Sequence, residues 1–450
     1  WKLLAMGGRS VHRCDPLPFT KADQFKNLFR RLHQRSYMSR HPSTTPRVLL
    51  AFATLLLATD LASAQTYWPG QNLDWERKSP EEAGFDPAKI QQAIEIAVAG
   101  ESNSPRDLAF NHQMTFGREP HGEPVGPFTI RGPQTGVIVH KGYIIAEWGD
   151  PHKVDQTFSV SKSFLSTSVG LAYDRGMIAD IHDLARPYVA PIVLEEGDGE
   201  PGDEAGRRPK LLFESEHNRK ITWDDLLRQT SDWEGTLWGK PEWADRPDND
   251  RTTWGTRARF EPGTMYEYND TRVNLLALAA TSVWRRPLPD VLREYVMDPI
   301  GASPTWRWHG YDNSWITLDG RRIQAVSGGG HWGGGMMLSA FDQARFGLLT
   351  MHKGNWDERQ LISEEWINMA TTPGDANQSY GFMNFSLNTG QRRYSNAPEY
   401  TWTHTGAGSN LIYVDPQNDL VIVCRWIRGG AFTDVVHAVL DAMGAVATNN

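Results

Sequence analysis

The spacing of apolar residues predicts strands near both ends of the chain and helices between them. Apolar positions recur at helical spacing over residues 90–97, directly after an Asp-Pro pair, which predicts a capped amphipathic helix. Residues 136–148 alternate apolar and polar side chains around a Lys-Gly turn, a pattern typical of a β-hairpin. From residue 157 the apolar spacing becomes helical again, and it ends at Gly176.

Helical patterns dominate residues 180–322, and strand patterns return only near the C-terminus. The helices predicted in the middle of the chain cover residues 223–228, 272–284 and 288–297. After them we predict a helix over 340–351, strands over 401–405, 411–414 and 420–426, and a last helix over 433–443. This order predicts an α/β domain made of residues 65–178 and 326–450, with a mostly helical domain, residues 179–325, inserted into it.

The first 64 residues differ from the rest in charge and in apolar pattern. Residues 1–37 are basic without a clear period, so we interpret them as upstream sequence translated before a start at Met38. Residues 38–64 have a positive start, an apolar run over 48–58 and a final Ala-Ser-Ala, which is the anatomy of a secretory signal peptide. That run is about half the roughly 20 residues that a membrane span needs. We therefore expect a periplasmic or secreted protein that keeps no membrane span after cleavage.

Composition and charge narrow the classes of function. With 450 residues, 39% of them hydrophobic and 22% charged, the chain suits one large or two intermediate globular domains. Without residues 1–64 it has 36 Lys and Arg against 51 Asp and Glu, a formal net charge of −15. No basic patch or long basic run is left, so we expect no binding to nucleic acid, which requires a positive surface. No cofactor is implied, and the oligomeric state is left open.

A Ser-x-x-Lys sequence, Ser159 to Lys162, stands at the start of the helix predicted from residue 157. This spacing places both side chains on one face of a helix, where a buried amine of lowered pKa can take the proton of a serine hydroxyl. The helix N-terminus also points N–H groups at the oxyanion that forms when a serine attacks a carbonyl. By itself the pair fits an N-cap serine with an exposed lysine equally well.

Two later sequences add candidate residues. A Tyr-Asn-Asp sequence, 268–270, precedes the helix predicted from residue 272, where a tyrosine can present its hydroxyl to a cleft. A His-Thr-Gly sequence, 404–406, lies on a late predicted strand, where glycine lets the backbone approach an extended substrate. Each also has a plainer interpretation: Tyr268 as a packed loop aromatic, Asp270 as a helix N-cap, and His404 as one ordinary histidine among fourteen.

With these three sequences in this order, the chain resembles the serine β-lactamase and penicillin-binding-protein superfamily, whose pattern is Ser-x-x-Lys, Tyr-x-Asn and Lys-Thr-Gly. Within it, the chain is similar to the branch of class C β-lactamases, family VIII esterases, D-aminopeptidases and 6-aminohexanoate-dimer hydrolase. Residues 221–231 and 334–347 match further segments of that branch, and the similarity covers roughly 79–443. The resemblance implies an α/β sandwich around an antiparallel sheet, a helical domain, and an active site in the cleft between them.

The resemblance also implies a role for each matched residue. Ser159 would be acylated, and Lys162 and Tyr268 would share its proton. The N–H groups of Ser159 and Ala407 would form the oxyanion hole. Four residues would contact the substrate: Asp270, His404, Thr405 and Gly406.

Two of these positions depart from the β-lactamase pattern in ways that bear on the substrate. Asp270 replaces an asparagine that would donate to a substrate amide, and an ionised aspartate only accepts. If Asp270 points at Lys162, it holds the amine charged and shifts the role of base to Tyr268, but if it caps the next helix, Lys162 is free. His404 replaces a lysine, so a fixed ammonium that would attract the carboxylate of a β-lactam or D-Ala-D-Ala peptide is missing.

These differences, together with the acidic net charge, favour an acyl-enzyme hydrolase of small neutral or cationic esters or linear amides. Aromatic loops at 233–254 and 330–332 are then predicted walls of an acyl or leaving-group pocket. A β-lactamase or D,D-peptidase is the second interpretation, and a catalytically silent binding or sensor protein on the same scaffold is the third. The absence of a Gly-x-Ser-x-Gly elbow and of His-x-His or His-Glu-x-x-His clusters disfavours an α/β-hydrolase and a metallohydrolase.

Overall fold

The structure is a computed structural model that describes residues 66–72, 74–195 and 209–447. The leader and signal peptide expected in residues 1–64 lie outside the described residues. The helices are α1 Pro87–Ala99, α2 Leu108–Thr115, α3 Ser161–Asp174, α4 Trp223–Leu227, α5 Asp270–Trp284, α6 Leu288–Leu292, α7 Ala340–Met351, α8 Glu364–Ala370 and α9 Gly429–Ala447. The strands are β1 Thr135–His140, β2 Tyr143–Trp148, β3 Asp155–Gln156, β4 Val193–Leu194, β5 Thr236–Leu237, β6 Lys240–Pro241, β7 Arg307–His309, β8 Trp315–Leu318, β9 Arg321–Gln324, β10 Gly335–Leu338, β11 Asn355–Trp356, β12 Arg359–Gln360, β13 Phe385–Leu387, β14 Trp402–Gly406, β15 Asn410–Asp415 and β16 Leu420–Arg425.

A six-stranded antiparallel sheet, in the order β13-β14-β15-β16-β1-β2, organises the fold. Val137 of β1 lies opposite Val423 of β16, so the predicted hairpin pairs directly with the last strand of the chain. The sheet therefore takes strands from both ends of the chain, as the order of predicted elements implies. The expected fold class, an α/β sandwich around an antiparallel sheet, is confirmed.

Helices cover both faces of this sheet, which is why β1, β15 and β16 are buried at every position. Successive side chains of a strand point to opposite faces. Ile138 and Ile422 belong to the core shared with α1 and α9, whereas Val137 and Val423 belong to the larger core that includes α3, α5 and α7. The helix predicted after the Asp-Pro pair is α1, and the Asp86 side chain accepts hydrogen bonds at its N-terminus.

Residues 179–325 combine helices with strands of only two to four residues, which are too short to give a strand pattern in the sequence. Helix α5 packs against α3, and β7 pairs with β10 across the predicted boundary at residue 325. The described residues all belong to one compact unit. The division into an α/β and a helical domain stays a prediction. Within the described part of the chain, no helix has the length and apolar character that crossing a bilayer requires.

Candidate active site

The chain enters α3 through a short 3₁₀ turn, Phe158–Val160, which places Ser159 at the mouth of the helix. Phe158 has a φ of 49°, a left-handed backbone conformation that a residue with a side chain rarely adopts. Its ring packs with Leu108 and Trp426, and this packing compensates for the strained backbone. Ser159 is therefore held on a tight turn rather than within a regular helix.

Two groups that can exchange protons lie at hydrogen-bond distance from the Ser159 hydroxyl oxygen. Lys162 Nζ is 2.8 Å from Ser159 Oγ, and the Tyr268 hydroxyl donates to the same oxygen over 2.7 Å. Lys162 is fully buried one turn along α3, whereas Ser159 is half-buried and Tyr268 comes from the loop before α5. The structure thus brings together the three residues expected to carry the chemistry, in a geometry that suits activation of a serine nucleophile.

Asp270 points at Lys162, which decides between the two alternatives left open by the sequence. Lys162 Nζ lies 2.6 Å from Asp270 Oδ1, and the Asp270 side chain is 1% exposed. The N-cap of α5 is the preceding residue, Asn269, whose side-chain oxygen accepts from the Arg272 N–H. The Asp270 carboxylate is buried among partners of the chain itself, and its expected contact with substrate stays a prediction.

The pKa values of the Lys162 and Asp270 side chains follow from this contact. Burial lowers the pKa of Lys162, but the Asp270 carboxylate and then the Tyr268 hydroxyl raise it by more, so the pKa lies above its ordinary value. Burial raises the pKa of Asp270, but Lys162 and then Arg246 outweigh this effect and hold that pKa well below its usual range. Burial raises the pKa of Tyr268, and Lys162 opposes the rise. The resting state is an ionised Lys–Asp pair beside a neutral tyrosine.

Further charged side chains surround Asp270, and the sequence assigned none of them a catalytic role. Arg246 Nη2 is 3.0 Å from Asp270 Oδ2, and Arg246 Nη1 is 2.6 Å from Asp245 Oδ1. The backbone N–H of His331 also donates to Asp270 Oδ2, over 3.1 Å. The His331 ring lies between two carboxylates, 2.8 Å from Asp245 and 2.7 Å from Glu119. These residues belong to no recognisable motif, so only the folded chain reveals them.

Asp245, Asp270 and His331 are the one described group of three side chains whose ligand atoms converge closely enough to hold a metal ion. The oxygen atoms of both carboxylates already face cations of the chain, Lys162 and Arg246. A metal ion would have to compete with both. The donor set is therefore better described as an ion-pair cluster than as a metal site.

Strand β14 ends beside Ser159, and a glycine makes this approach possible. A Cβ on Gly406 would lie 2.0 Å from the Thr157 carbonyl oxygen and 3.3 Å from the Ser159 nitrogen. Asn384, which the sequence did not indicate, ties the two segments together: its Nδ2 donates to the carbonyls of Ser159 and Thr405, over 2.8 and 2.7 Å. Ser159 and Ala407 both line one cavity, as an oxyanion hole made of their N–H groups requires. The oxyanion hole itself stays a prediction.

His404 faces the interior rather than the cavity. Its side chain is fully buried, with Nδ1 2.9 Å from Ser163 Oγ, and it packs against the rings of Phe346 and Phe385. Burial lowers its pKa to about 3, so the imidazole is neutral at physiological pH. His404 thus faces Ser163 in this structure, and its expected contact with substrate stays a prediction. Thr405 also turns its hydroxyl to the chain itself, to Asn384 Oδ1 at 3.1 Å.

The space at Ser159 is small, and it shares the lining residue Arg246 with a larger cavity. A cavity of about 50 Å³ is lined by Ser159 and Ala407, and by α2 and neighbouring residues that include Phe116, Arg246 and His331. Arg246 also lines a cavity of about 370 Å³ whose wall includes the stacked rings of Trp243 and Trp254. Trp243 and Trp254 of the predicted aromatic loops thus line a cavity, and their part in an acyl or leaving-group pocket stays a prediction. Trp233, Trp238 and Trp332 are buried in the core instead.

A serine hydroxyl held between an amine and a phenol, beside the end of β14 in an antiparallel sheet, is typical of a hydrolase of the β-lactamase-like class. The chain belongs to the beta-lactamase family, whose model matches residues 130–426. That range contains Ser159, Lys162, Tyr268, Asp270 and Ala407, whereas the part of the site formed by α2, Phe116 and Glu119 lies before it. The resemblance seen in the sequence is therefore confirmed at the level of the family.

The solved structures that match the chain are distant from it in sequence. A family VIII carboxylesterase is 14% identical over 80% of this chain and 99% of its own, with a TM-score of 0.49. A penicillin-binding-protein homologue from Caulobacter crescentus is 14% identical over 80% and 99%, with a TM-score of 0.48. EstCE1, a hydrolase with promiscuous acyltransferase activity, is 14% identical over 79% and 98%, with a TM-score of 0.48. No curated protein matches the chain.

Proposed function

We propose that this protein is an exported serine hydrolase that cleaves small esters or linear amides through an acyl-enzyme on Ser159. The observation that supports this most directly is the Ser159 hydroxyl, held 2.8 Å from Lys162 Nζ and 2.7 Å from the Tyr268 oxygen. In the proposed reaction, the Lys162–Tyr268 pair first loses a proton to solvent. Ser159 then attacks the substrate carbonyl, its proton passes to the pair, and the pair returns this proton to the alcohol or amine that leaves. The N–H groups of Ser159 and Ala407 stabilise the oxyanion, and water then hydrolyses the acyl-enzyme.

The charge around Ser159 favours substrates without a carboxylate. His404 is buried and neutral, so it supplies no cation where the β-lactamase pattern has a lysine. Arg246 is the cation that lines the cavity, but Asp245 and Asp270 bind both ends of its guanidinium group. Lys162 is also paired with Asp270. Two cations are thus balanced by two carboxylates, and no net positive charge is left to attract an anionic substrate.

The size of the cavity favours a short acyl group. One water-sized atom needs roughly 10–15 Å³ of such space, so about 50 Å³ accommodates three or four non-hydrogen atoms. An acetyl or propionyl group fits this volume. The larger cavity beside Trp243 and Trp254 would then receive an apolar or aromatic leaving group.

A burst experiment with p-nitrophenyl acetate tests the proposal. We expect a burst of nitrophenol equal to the enzyme concentration, an acetyl group on Ser159 by mass spectrometry, and a loss of at least about 10³-fold in turnover for Ser159→Ala. A variant that hydrolyses the ester as fast as the wild type would refute the mechanism. Turnover of a chromogenic cephalosporin that rivals the best ester would instead support the β-lactamase interpretation and contradict the charge argument.

A further inference from the structure

The Asp270 carboxylate forms ion pairs with two cationic side chains, one at each oxygen. Lys162 Nζ is 2.6 Å from Oδ1 and Arg246 Nη2 is 3.0 Å from Oδ2. The Lys162 and Asp270 side chains are at most 1% exposed, whereas the Arg246 side chain is 39% exposed and reaches the pair from a loop. The negative charge that acts on Lys162 is therefore shared with a residue that lies at the edge of the site.

Arg246 is held in position mainly by Asp245, which does not belong to the Ser159–Lys162–Tyr268 group. Asp245, whose side chain is fully buried, binds Arg246 Nη1 at 2.6 Å and accepts the backbone N–H of Asp270 through its other oxygen. His331 lies against Asp245 and Glu119. The Arg246 guanidinium group is also 5.0 Å from the centre of the Tyr268 ring.

The charged and titratable groups around the Lys162–Asp270 pair come from several elements. Asp270 and then Tyr268 raise the pKa of Lys162. Arg246 and His331 lower the pKa of Asp270, and burial and then Asp270 raise the pKa of Tyr311. Two further carboxylates belong to the set: Asp245, which raises the pKa of Arg246, and Glu119, whose pKa is raised by burial while His331 opposes the rise. Arg246 is the one cation in this described set that can offset the carboxylates without itself taking part in proton transfer, because arginine keeps its charge.

We propose that Arg246 is a positioning residue that shares the Asp270 carboxylate with Lys162, so that the Lys162–Tyr268 pair can accept the Ser159 proton near neutral pH. This inference rests on the proposed function and names a residue that controls the pH range of the reaction. Without Arg246, the full charge of Asp270 and the charge of Asp245 would hold a proton on the pair. The sign is the same whichever of the two is the base, because Lys162 and Tyr268 titrate as a coupled pair.

The test is the pH dependence of the acylation rate, measured from the burst with p-nitrophenyl acetate. For Arg246→Gln we expect the acidic limb of the profile to move up by about one pH unit or more, with acylation roughly tenfold slower below the limb. At high pH the rate should approach that of the wild type. Arg246→Lys should restore most of the low-pH rate, because it keeps the charge. A merely structural role would lower the rate equally at every pH.

A second variant is expected to move the limb in the opposite direction. Asp245→Asn removes a carboxylate and leaves Arg246 to Asp270 alone, so the acidic limb should move down. Should Arg246→Gln fail to fold, the direction of this shift decides the proposal. Arg251→Gln is the matched control, because Arg251 is exposed on the same loop and lies over the Trp254 ring. Its profile should match that of the wild type.

The outcomes separate the two proposals. An ester burst in the wild type, with an acidic limb that Arg246→Gln leaves in place or moves down, overturns the role of Arg246 and leaves the proposed function intact. If the wild type forms no acyl-enzyme with the ester and a fluorophosphonate does not label Ser159, the proposed function fails, and the role of Arg246 fails with it.

Discussion

Lys162 and Asp270 meet in the interior at 2.6 Å, and each controls the protonation of the other. A lysine must lose its proton before it can act as a base, and the carboxylate opposes this loss. Tyr268, at hydrogen-bond distance from Ser159, provides the second route for the proton. At the scale of the residue, the site is therefore a coupled proton-sharing group rather than a serine with a single base.

Replacing Asp270 tests this coupling. Asp270→Asn removes the anion that raises the pKa of Lys162, so we expect the acidic limb of the acylation profile to move down by more than one pH unit. The same change leaves Lys162 buried without its carboxylate, and we expect the free energy of unfolding to fall by about 3 kcal/mol. The pH profile of the burst and urea denaturation at pH 7 measure the two effects. A profile that does not move would show that Asp270 has no part in setting the charge on Lys162.

The sequence predicted the candidate residues that belong to a local pattern. It did not predict those that reach the site only through tertiary contacts. Ser159 and Lys162 are one helical turn apart, and Tyr268 stands before a helix that the apolar spacing predicts. Arg246 and Asn384 have no pattern of their own, because each reaches the site from a loop distant in sequence. The direction in which Asp270 points also depended on its neighbour, since Asn269 caps α5.

Helix α2 shows that an element missed by the sequence analysis can form part of the site. It is eight residues long, with only Leu108 and His112 buried, so it has too few apolar positions for the sequence to reveal it. In the structure it begins at the Asp107 cap and ends at Phe116, whose ring lies 4.2 Å from that of His331. An element that the sequence did not predict thus closes the cavity at Ser159.

Shortening Phe116 tests whether this element limits the acyl group. Phe116→Ala should widen the cavity and raise the ratio of kcat/KM for p-nitrophenyl hexanoate over acetate by about tenfold, because a few methylene groups gain apolar contact. The measurement is a chain-length series of p-nitrophenyl esters. Phe110→Ala on the same helix is the control, since Phe110 is 57% exposed, and its series should match the wild type. An unchanged ratio in Phe116→Ala would argue against a size limit at this ring.

The molecule as a whole buries several neutral histidines. Burial lowers the pKa of His112 and of His140 to about 4, and that of His404 to about 3. In the unfolded chain a histidine takes up a proton below about pH 6.5, whereas these three stay neutral in the fold. The unfolded state therefore binds more protons as the pH falls, and the fold loses stability from pH 6.5 downward.

His404 gives this effect a direct test. Between about pH 5.5 and pH 4, a histidine whose pKa in the fold is about 3 contributes a slope close to 1.4 kcal/mol per pH unit to the free energy of unfolding. His404→Gln removes one titrating group, so the slope measured by urea denaturation should be smaller than that of the wild type by about this amount. Equal slopes for the two proteins would mean that His404 is already protonated in the fold.

The sequence by itself determined the longer elements and the family, because these depend on local spacing. The hairpin, the helices over 223–228, 272–284 and 340–351, and the order of the three motifs can be read without contacts. The tertiary structure alone decided what those motifs face: Asp270 pairs with Lys162 and Arg246, and His404 turns to the core. The physical reason is that the protonation and exposure of a side chain depend on charges and burial supplied by residues far along the chain.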